Sequence, residues 1–593
     1  MEEPIHPQVG RGPLAWLLLG ISSLALSSLC ALLLAAARMP GLSERFAGRE
    51  WIFNTALVLH VDLSVTVWFL AFTSALWSLA GGTRMAGLDR TAFVLSLTGG
   101  LLLLAAPWLA SGQPVLSDYL PVLRNPVFLG GVVTLGIGFA LAATRALLVI
   151  PRGGMVLGGV PGSGLRAAAL CHLLALLACG TAFARLPDEL QGKAYFNPLF
   201  WAGGHLLQFT HILTMLTVWL ALARRAGIPM PFGATGQGRI LWLGALPALL
   251  GAWPGLSLAP DSPEQRLFFT SLMVWGNWWA VPWIAGGIAW GYRRRTAPLA
   301  ANADNALWGS MLLLGLGIAT GTAIHNDSVL VTAHYHGTVG AITLAYMGMT
   351  LTLLPDLGRT PVRPALARLQ ARVYPLGLSL VILGLAWSGA NNAPRKTPLA
   401  SHAPEGMALM GAGAAIALTA TFLFLVPALR ALLGGRLRRG SAVLLAVLSI
   451  GALGGMIRFW PHNDTTTLRI APEVATRFEQ GAMMLHAKQY EHALTAFHWV
   501  LQHAPELPEA HVNMGFAMLG LERPEVARDF FQTAITLRPE QVNAYYGLAL
   551  SLEELKDRPG AIGAMRTFVH LSKEETPFVR KARAALWEWG QAP

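Results

Sequence analysis

The chain has 593 residues, of which 54% are hydrophobic and only 12% are charged. A soluble protein of this size needs roughly 25% charged residues to cover its surface. The composition therefore excludes an ordinary soluble protein and indicates a chain that lies largely in lipid. The formal net charge is +12, but the excess is mostly arginine in short loops. That pattern orients membrane proteins, so we expect no nucleic-acid partner.

Thirteen apolar stretches are long enough to cross a bilayer, since a hydrocarbon core about 30 Å thick needs about 20 residues of helix. They predict an all-α fold in which residues 1–460 form a polytopic bundle of membrane helices. The stretches fall near 13–37, 52–80, 91–111, 127–150, 165–185, 198–223, 238–258, 267–291, 306–324, 331–355, 373–390, 406–434 and 441–458.

Arginine in the connecting loops predicts the orientation. Loops after even-numbered stretches carry about twice as many basic residues as the others, including Arg293, Arg294 and Arg295. Positively charged loops stay in the cytoplasm. We therefore expect a bacterial-type inner-membrane protein with a cytoplasmic N-terminus. Thirteen crossings would place the C-terminal part outside, in the periplasm.

Residues 469–593 show a 34-residue period. Small and aromatic residues recur at this step, and prolines close two of the units: Gly481, Gly515 and Ala549; Ala493, Ala527 and Ala561; Phe497, Phe531 and Met565; Pro505 and Pro539. The pattern resembles the tetratricopeptide repeat, in which each unit is a helical hairpin. Such repeats bind a protein or peptide partner in a groove; the alternative is a packing spacer.

Four histidines fall at similar depths in three predicted spans. His60 lies in the second span, His205 in the sixth, and His334 and His336 in the tenth. With a rise of about 1.5 Å per residue, all four lie roughly 5–12 Å below the outer ends of their helices. Imidazole is a common axial ligand of haem iron. His334 and His336 project about 200° apart, so they would bind two different haems.

The stretch from His325 to Gly337, HNDSVLVTAHYHG, resembles the tenth helix of the haem-copper oxidase catalytic subunit. The second and sixth spans, with HVDLSVTVWFLAF and GGHLLQF, are similar to the nitric-oxide-reductase-like branches of that superfamily. The resemblance implies a low-spin haem held by His60 and His336 and a second haem on His334, with the haem type left open.

The same resemblance extends to two loops. GLAWSGANNAPRK is similar to the loop in which the family binds the haem propionates, which implies that Arg395 and Lys396 pair with propionates. His325 and Asp327 stand where the family's loop holds a divalent ion or the water network of the propionates. A solvated loop is the alternative for these two residues.

The copper site departs from the family pattern. His205 stands where the family keeps its first copper ligand, but the family's histidine pair in the seventh span is missing. No histidine occurs between His211 and His325, and Phe209 replaces the tyrosine found in many oxidases. Because copper needs about three nitrogen ligands, we expect His205 to be a remnant and copper to be absent.

Two further polar residues lie within spans. Asp62 is two residues from His60 and is assigned either to a proton path or to a bond with a neighbouring helix. His172, in the fifth span, is interpreted as a structural residue. Polar residues inside a membrane are costly and often functional.

Three functions remain open from the sequence. The first is a membrane haem protein that transfers electrons, working with companion respiratory subunits or a soluble redox protein. The second is an active oxidoreductase, either a terminal oxidase of the cytochrome c oxidase type or a nitric oxide reductase. The third is a membrane scaffold that recruits a partner through its repeats.

Overall fold

The computed structural model describes residues 11–38, 50–187, 190, 192–295, 301–324, 328–391, 393, 404–434, 472–572 and 576–590. Chain contacts divide the protein into two compact units. The first contains Met1–Thr181, Phe200–Leu258 and Ser262–Asn463, and the second contains Ala182–Leu199, Ala259–Asp261 and Asp464–Pro593. The predicted boundary between 460 and 469 lies outside the described residues and stays a prediction.

Helices and two short β-hairpins make up the first half of the chain. The helices are α1 (Arg11–Arg38), α2 (Glu50–Val61), a π-helix (Asp62–Trp68), α3 (Phe69–Gly81), α4 (Ala86–Leu109), α5 (Pro126–Val149), α6 (Ser163–Arg185), α7 (Gly192–Arg225) and α8 (Ala234–Ser257). The antiparallel hairpins pair β1 (Pro114–Val115) with β2 (Val122–Leu123), and β3 (Met155–Val156) with β4 (Val160–Pro161).

The remaining elements are all helical. They are α9 (Pro263–Gly276), α10 (Val281–Arg294), α11 (Ala301–Thr322), α12 (Val329–Leu353), α13 (Pro364–Ala390), α14 (Pro404–Leu432), α15 (Pro472–His486), α16 (Tyr490–His503), α17 (Pro508–Gly520), α18 (Pro524–Leu537), α19 (Val542–Glu554), α20 (Arg558–Leu571) and α21 (Pro577–Gly590). This order confirms the predicted all-α class, with a membrane bundle followed by helical repeats.

Nine helices in the described part of the chain are long and apolar enough to cross a membrane. They are α1, the continuous α2–π–α3 helix, α4 to α8, α13 and α14. The chain is therefore an integral membrane protein. The predicted ninth and tenth stretches correspond to α11 and α12, of 22 and 25 residues. The thirteenth, 441–458, lies outside the described residues.

The eighth predicted stretch differs from the expected single span, because it is broken into α9 and α10, of 14 residues each. Pro282 stands at the start of α10, where it lacks an N–H and disfavours helical backbone in the residue before it. Asn277 donates to the Met273 carbonyl (3.2 Å), and the Trp278 indole donates to the Val274 carbonyl (2.8 Å). These bonds satisfy carbonyls that a continuous helix would have used.

A π-helix interrupts the second span directly after His60. Hydroxyls on the neighbouring α1 bond to carbonyls around this segment: Ser27 donates to the His60 carbonyl (3.0 Å), and Ser23 donates to the Leu63 carbonyl (2.8 Å). Ser64 also donates to the His60 carbonyl (2.6 Å). The carbonyl oxygens of His60 and Leu63 therefore accept hydrogen bonds from serine hydroxyls. Backbone polar groups in apolar surroundings need such partners.

A buried polar network joins α1, α3, α4 and α5. Asp89 accepts bonds from the Trp16 indole (3.2 Å) and the Ser78 hydroxyl (2.7 Å), and it lies 3.8 Å from the Arg145 guanidinium. Arg145 also donates to the carbonyls of Gly82 (2.7 Å) and Arg84 (2.6 Å). The network fixes the connection between α3 and α4 against α5.

The seven helices α15 to α21 repeat one packing contact. A methyl group added at Gly481 would lie 2.9 Å from the Phe497 ring, and one added at Gly515 would lie 2.7 Å from the Phe531 ring. Both pairs are 16 residues apart, and the second follows the first by 34 residues. Ala527, Phe531, Ala561 and Met565 are buried at the corresponding positions. The packing of these helices therefore follows the predicted 34-residue repeat of helical hairpins.

Candidate haem site

His60 is held against α1. Its Nδ1 lies 3.0 Å from the Ser27 carbonyl oxygen and 2.9 Å from the Ser27 hydroxyl oxygen. Because a carbonyl can only accept, Nδ1 carries the ring proton and Nε2 keeps its lone pair. The side chain is half-buried. This arrangement leaves Nε2 as the coordinating atom.

His334 and His336 on α12 have the same arrangement. Nδ1 of His334 lies 2.7 Å from the Gly317 carbonyl oxygen on α11, and Nδ1 of His336 lies 2.8 Å from the Thr332 carbonyl oxygen one turn earlier. Both rings are half-buried. A ligating histidine usually donates its other ring N–H to a carbonyl or carboxylate, which fixes its tautomer and orientation.

Glycines on α11 make the His334 contact possible. A methyl group added at Gly321 would lie 2.6 Å from Nδ1 of His334, and one added at Gly317 would lie 2.7 Å from the Thr338 nitrogen. α11 and α12 therefore approach closely enough for the imidazole to reach the backbone of the neighbouring helix. Side chains at these two glycines would displace the ring.

His60 and His336 lie on different helices but belong to one region of the bundle. His60 and Arg38 are both within electrostatic range of the His336 imidazole. The Arg38 guanidinium also lies over the Phe53 ring, 5.3 Å from its centroid. Arg38 was not identified from the sequence, because basic residues are common at the ends of membrane spans.

His205 has a different environment from the other three histidines. It is 1% exposed, its Nδ1 lies 2.7 Å from the Trp201 carbonyl oxygen, and its Nε2 lies 2.8 Å from the Tyr119 hydroxyl. Nδ1 thus carries the proton and Nε2 accepts from the phenol. Burial raises the pKa of Tyr119 well above its usual value, with Tyr335 and Asp118 adding to the shift. The phenol accordingly keeps the proton that it donates.

The hydrogen-bonded chain continues beyond the tyrosine. The Gln208 side chain lies near the Tyr119 hydroxyl, and Asn277 donates to the Gln208 side-chain oxygen at 3.2 Å. Tyr335, between the two histidines of α12, is within electrostatic range of Tyr119. Sequence reasoning missed Tyr119, Gln208 and Asn277. The first lies in a loop without periodicity, and the other two appear as single polar residues in apolar helices.

Several predicted site residues lie elsewhere or outside the described residues. Asp62 is 1% exposed, and neither carboxyl oxygen has a hydrogen-bond partner among the described residues. His325, Asp327, Arg395 and Lys396 lie outside the described residues. Within the described part of the chain, no three histidine, cysteine, aspartate or glutamate side chains gather into a set that could hold a metal ion.

The His60, His334 and His336 imidazoles share one hydrogen-bonding pattern. Three imidazoles present unprotonated Nε2 atoms, and all three rings are oriented through Nδ1 by backbone carbonyls. Neutral imidazole is the form that binds iron, and among the described residues no hydrogen bond to these Nε2 atoms is found. His205 does not share this property, because Tyr119 already contacts its Nε2.

Comparison with solved structures shows the class of fold. A haem-copper terminal oxidase, solved as a dimer by cryo-electron microscopy, matches with a TM-score of 0.56 and 13% identity over 99% of this chain and 100% of that chain. The chain therefore has the fold of a haem-copper terminal oxidase. The tetratricopeptide-repeat domain of Sgt2 from Aspergillus fumigatus covers only 21% of the chain, at 18% identity and a TM-score of 0.20.

Sequence comparison finds two bacterial relatives. An uncharacterized protein of Rickettsia prowazekii (strain Madrid E) is 26% identical over 483 residues, covering 69% of this chain and 94% of that protein. An uncharacterized protein of Aquifex aeolicus (strain VF5) is 28% identical over 356 residues, covering 58% of this chain and 84% of that protein. No family model matches the chain.

Proposed function

We propose that this protein is a membrane haem protein that transfers electrons through a low-spin haem ligated by His60 and His336 and a second haem ligated by His334. The observation that carries the proposal is the shared geometry of the three imidazoles. Each donates from Nδ1 to a backbone carbonyl, which leaves Nε2 free to coordinate. Haem iron would supply one-electron redox chemistry, and its potential would depend on these ligands.

The protein's own groups would position the haems. Ser27 and Thr332 orient the two low-spin ligands, and the Gly317 carbonyl orients His334. We further propose that Arg38 pairs with a propionate of the low-spin haem, since the guanidinium lies within range of His336 and stacks on Phe53. Arg395 and Lys396 remain proposed propionate partners on the resemblance alone.

Electron transfer without copper is the function that the His205 contacts favour over catalysis. A copper ion at His205 would have to displace the Tyr119 hydroxyl from Nε2. It would also need further nitrogen ligands, whereas in the described part of the chain the polar groups joined here are the amides of Gln208 on α7 and Asn277 between α9 and α10. The proposed role of the cluster is to hold the helices together by uncharged hydrogen bonds.

We propose that the repeat domain binds a protein or peptide partner on the outer side of the membrane. Within the second unit, Lys193 lies 3.2 Å from Glu540, and Arg566 lies 3.8 Å from Asp261. Lys193 follows the fifth predicted span and Asp261 follows the seventh, so both belong to loops that the arginine pattern assigns to the outside. A docked redox protein or companion subunit would then be on the same side as the haem ligands.

Optical spectroscopy of the purified protein tests the haem proposal. Protein from haem-replete cells is expected to show a low-spin signal in reduced-minus-oxidised spectra and two haems per chain by pyridine haemochrome. His60→Ala and His336→Ala should lose the low-spin signal, whereas His334→Ala should keep it and lose one haem. His503→Ala, in the repeat domain, is the matched control and should retain both haems.

Two results would contradict the proposal. A purified protein without haem absorption, prepared from haem-replete cells, would show that the chain binds no haem. Stoichiometric copper that is lost in His205→Ala, together with oxygen or nitric oxide consumption, would favour an active oxidoreductase instead.

A further inference from the structure

Two buried histidines lie deeper in the bundle than the haem ligands. His172 on α6 is 1% exposed and His211 on α7 is 5% exposed. None of their four ring nitrogens has a hydrogen-bond partner among the described residues. His211 follows His205 by six residues, which places it about 9 Å farther along α7. The pair thus lies apart from the candidate haem site.

The imidazoles of His172 and His211 lie within electrostatic range of each other. Aromatic rings pack near both of them. Trp77 and Phe139 lie 6.2 and 6.4 Å from the His172 ring, and Phe69 lies 5.1 Å from the His211 ring. The Thr210 hydroxyl donates to the Ala168 carbonyl (3.2 Å), which joins the two helices beside the pair. Aromatic rings therefore flank both imidazoles.

Polar groups continue from this pair toward α12. Tyr346 stacks on Phe72 at 4.0 Å, lies 5.5 Å from Phe69, and faces the Thr73 and Thr214 hydroxyls. Both of those hydroxyls donate to carbonyls in their own helices. Thr214 is three residues beyond His211, about one helical turn. Hydroxyl oxygens with remaining acceptor capacity therefore adjoin the imidazoles.

The chemistry of the pair determines what binds there. A neutral imidazole has one N–H donor and one acceptor nitrogen, and burying either without a partner is unfavourable. Two imidazoles are too few for a structural zinc site, which takes four ligands, and no third metal-ligating residue joins them among the described residues. Water both donates and accepts, and buried waters typically bond about three otherwise unsatisfied groups.

We infer that His172 and His211 hold a cluster of buried water molecules in the interior of the membrane bundle. At least one water bridges the two rings by accepting from one imidazole and donating to the other. Further waters bond the remaining ring nitrogens and reach the hydroxyls around Tyr346. This inference does not depend on haem, because it rests on ring nitrogens that the haem proposal does not use.

Water-edited solid-state NMR of protein labelled with ¹⁵N at histidine and tryptophan, in lipid bilayers, tests the inference directly. The ring resonances of His172 and His211, assigned from their loss in His172→Gln and His211→Gln, are expected to receive magnetisation from water as rapidly as those of the exposed His498. The buried Trp219 indole, which donates to the Ser310 hydroxyl at 2.8 Å and is assigned from its loss in Trp219→Phe, serves as the dry control. Histidine resonances that build up as slowly as this indole would overturn the inference.

A second measurement uses the unaltered protein, in case the glutamine variants do not fold. X-ray hydroxyl-radical footprinting in ¹⁸O-water is expected to label Phe69 or Tyr346, although both are buried. Phe531, buried in the repeat domain, should stay unlabelled. Absence of ¹⁸O at both Phe69 and Tyr346 would overturn the inference.

Discussion

The Tyr119 hydroxyl lies 2.8 Å from Nε2 of His205, the histidine that stands where the resembled family keeps its first copper ligand. The tyrosine comes from the connection between α4 and α5, and the histidine from α7. A neutral phenol–imidazole bond thus stands where a metal–imidazole bond was considered. Because Nδ1 of His205 bonds to the Trp201 carbonyl, the ring has both nitrogens engaged.

The Tyr119 bond predicts a specific pH dependence of stability. Burial raises the pKa of Tyr119, while an unfolded tyrosine titrates near about 10. The folded protein therefore holds this proton more tightly than the unfolded chain does. The contribution to stability is present below about pH 10 and is lost as the pH rises through the folded pKa. Melting temperatures measured across alkaline pH should fall less steeply for Tyr119→Phe than for wild type. Parallel curves would contradict this.

The Ser27 hydroxyl is expected to contribute to the affinity for the proposed low-spin haem. Its hydroxyl lies beside Nδ1 of His60 and donates to the His60 carbonyl. Removing an outer-shell partner of a ligand typically lowers metal-site affinity about 10–100-fold. Ser27→Ala removes this hydroxyl but keeps the backbone carbonyl that accepts from Nδ1, so haem affinity is expected to fall toward the lower end of this range, measured by transfer of haem to an apoprotein acceptor. Ser28→Ala is the matched control, because that hydroxyl bonds only to the Leu24 carbonyl of its own helix among the contacts described. Equal haem loss in both variants would show that Ser27 has no specific role.

The Asp89–Arg145 network predicts a large cost for removing one charge. The two side chains are 11% and 2% exposed. Breaking a buried pair by removing one partner costs about 3–5 kcal/mol, because the other charge stays buried. Arg145→Met should therefore lower the free energy of unfolding by about this amount in denaturant titrations. Arg225→Met, which breaks the more exposed pair with Asp356, should cost less. The reverse order would contradict the assigned role of the network.

The orientation of the repeat domain can be tested by labelling single cysteines. Lys556→Cys in the repeats is expected to react with a membrane-impermeant maleimide in intact spheroplasts. Gly153→Cys, in a loop assigned to the cytoplasm, should react only after the membrane is opened. The native Cys30, Cys171 and Cys179 are buried or half-buried, which limits background labelling. Labelling of Gly153→Cys but not Lys556→Cys in intact spheroplasts would reverse the topology.

Helix order and the positions of the histidines were predictable from the sequence because both depend on local properties. Apolar length predicts spans, and the 34-residue period predicts repeats that pack through Gly515 and Phe531. The broken eighth span was harder, because hydropathy averages over the interruption. Pro282 was the available signal, and it falls inside an otherwise apolar stretch.

The contacts of the histidines were not predictable, because they depend on how helices pack. His60 depends on a serine 33 residues earlier, and His205 on a tyrosine 86 residues earlier. No periodicity relates such positions. The surroundings of His172 were not predictable either, because depth along one helix does not reveal that both ring nitrogens are buried without a partner among the described residues.

The π-helix at Asp62–Trp68 rotates the second half of its span about the helix axis relative to the first half. A π turn takes in more residues than an α turn, so residues beyond it are rotated relative to the register that His60 would impose. His60 can thereby face α1 while Phe69 and Phe72 face Tyr346. A homologue with an unbroken α-helix here would align with a one-residue gap between His60 and Phe69. Each residue inserted or deleted in this segment would rotate the downstream half of the helix by about 100°. A single insertion or deletion here would therefore change which side chains face Tyr346.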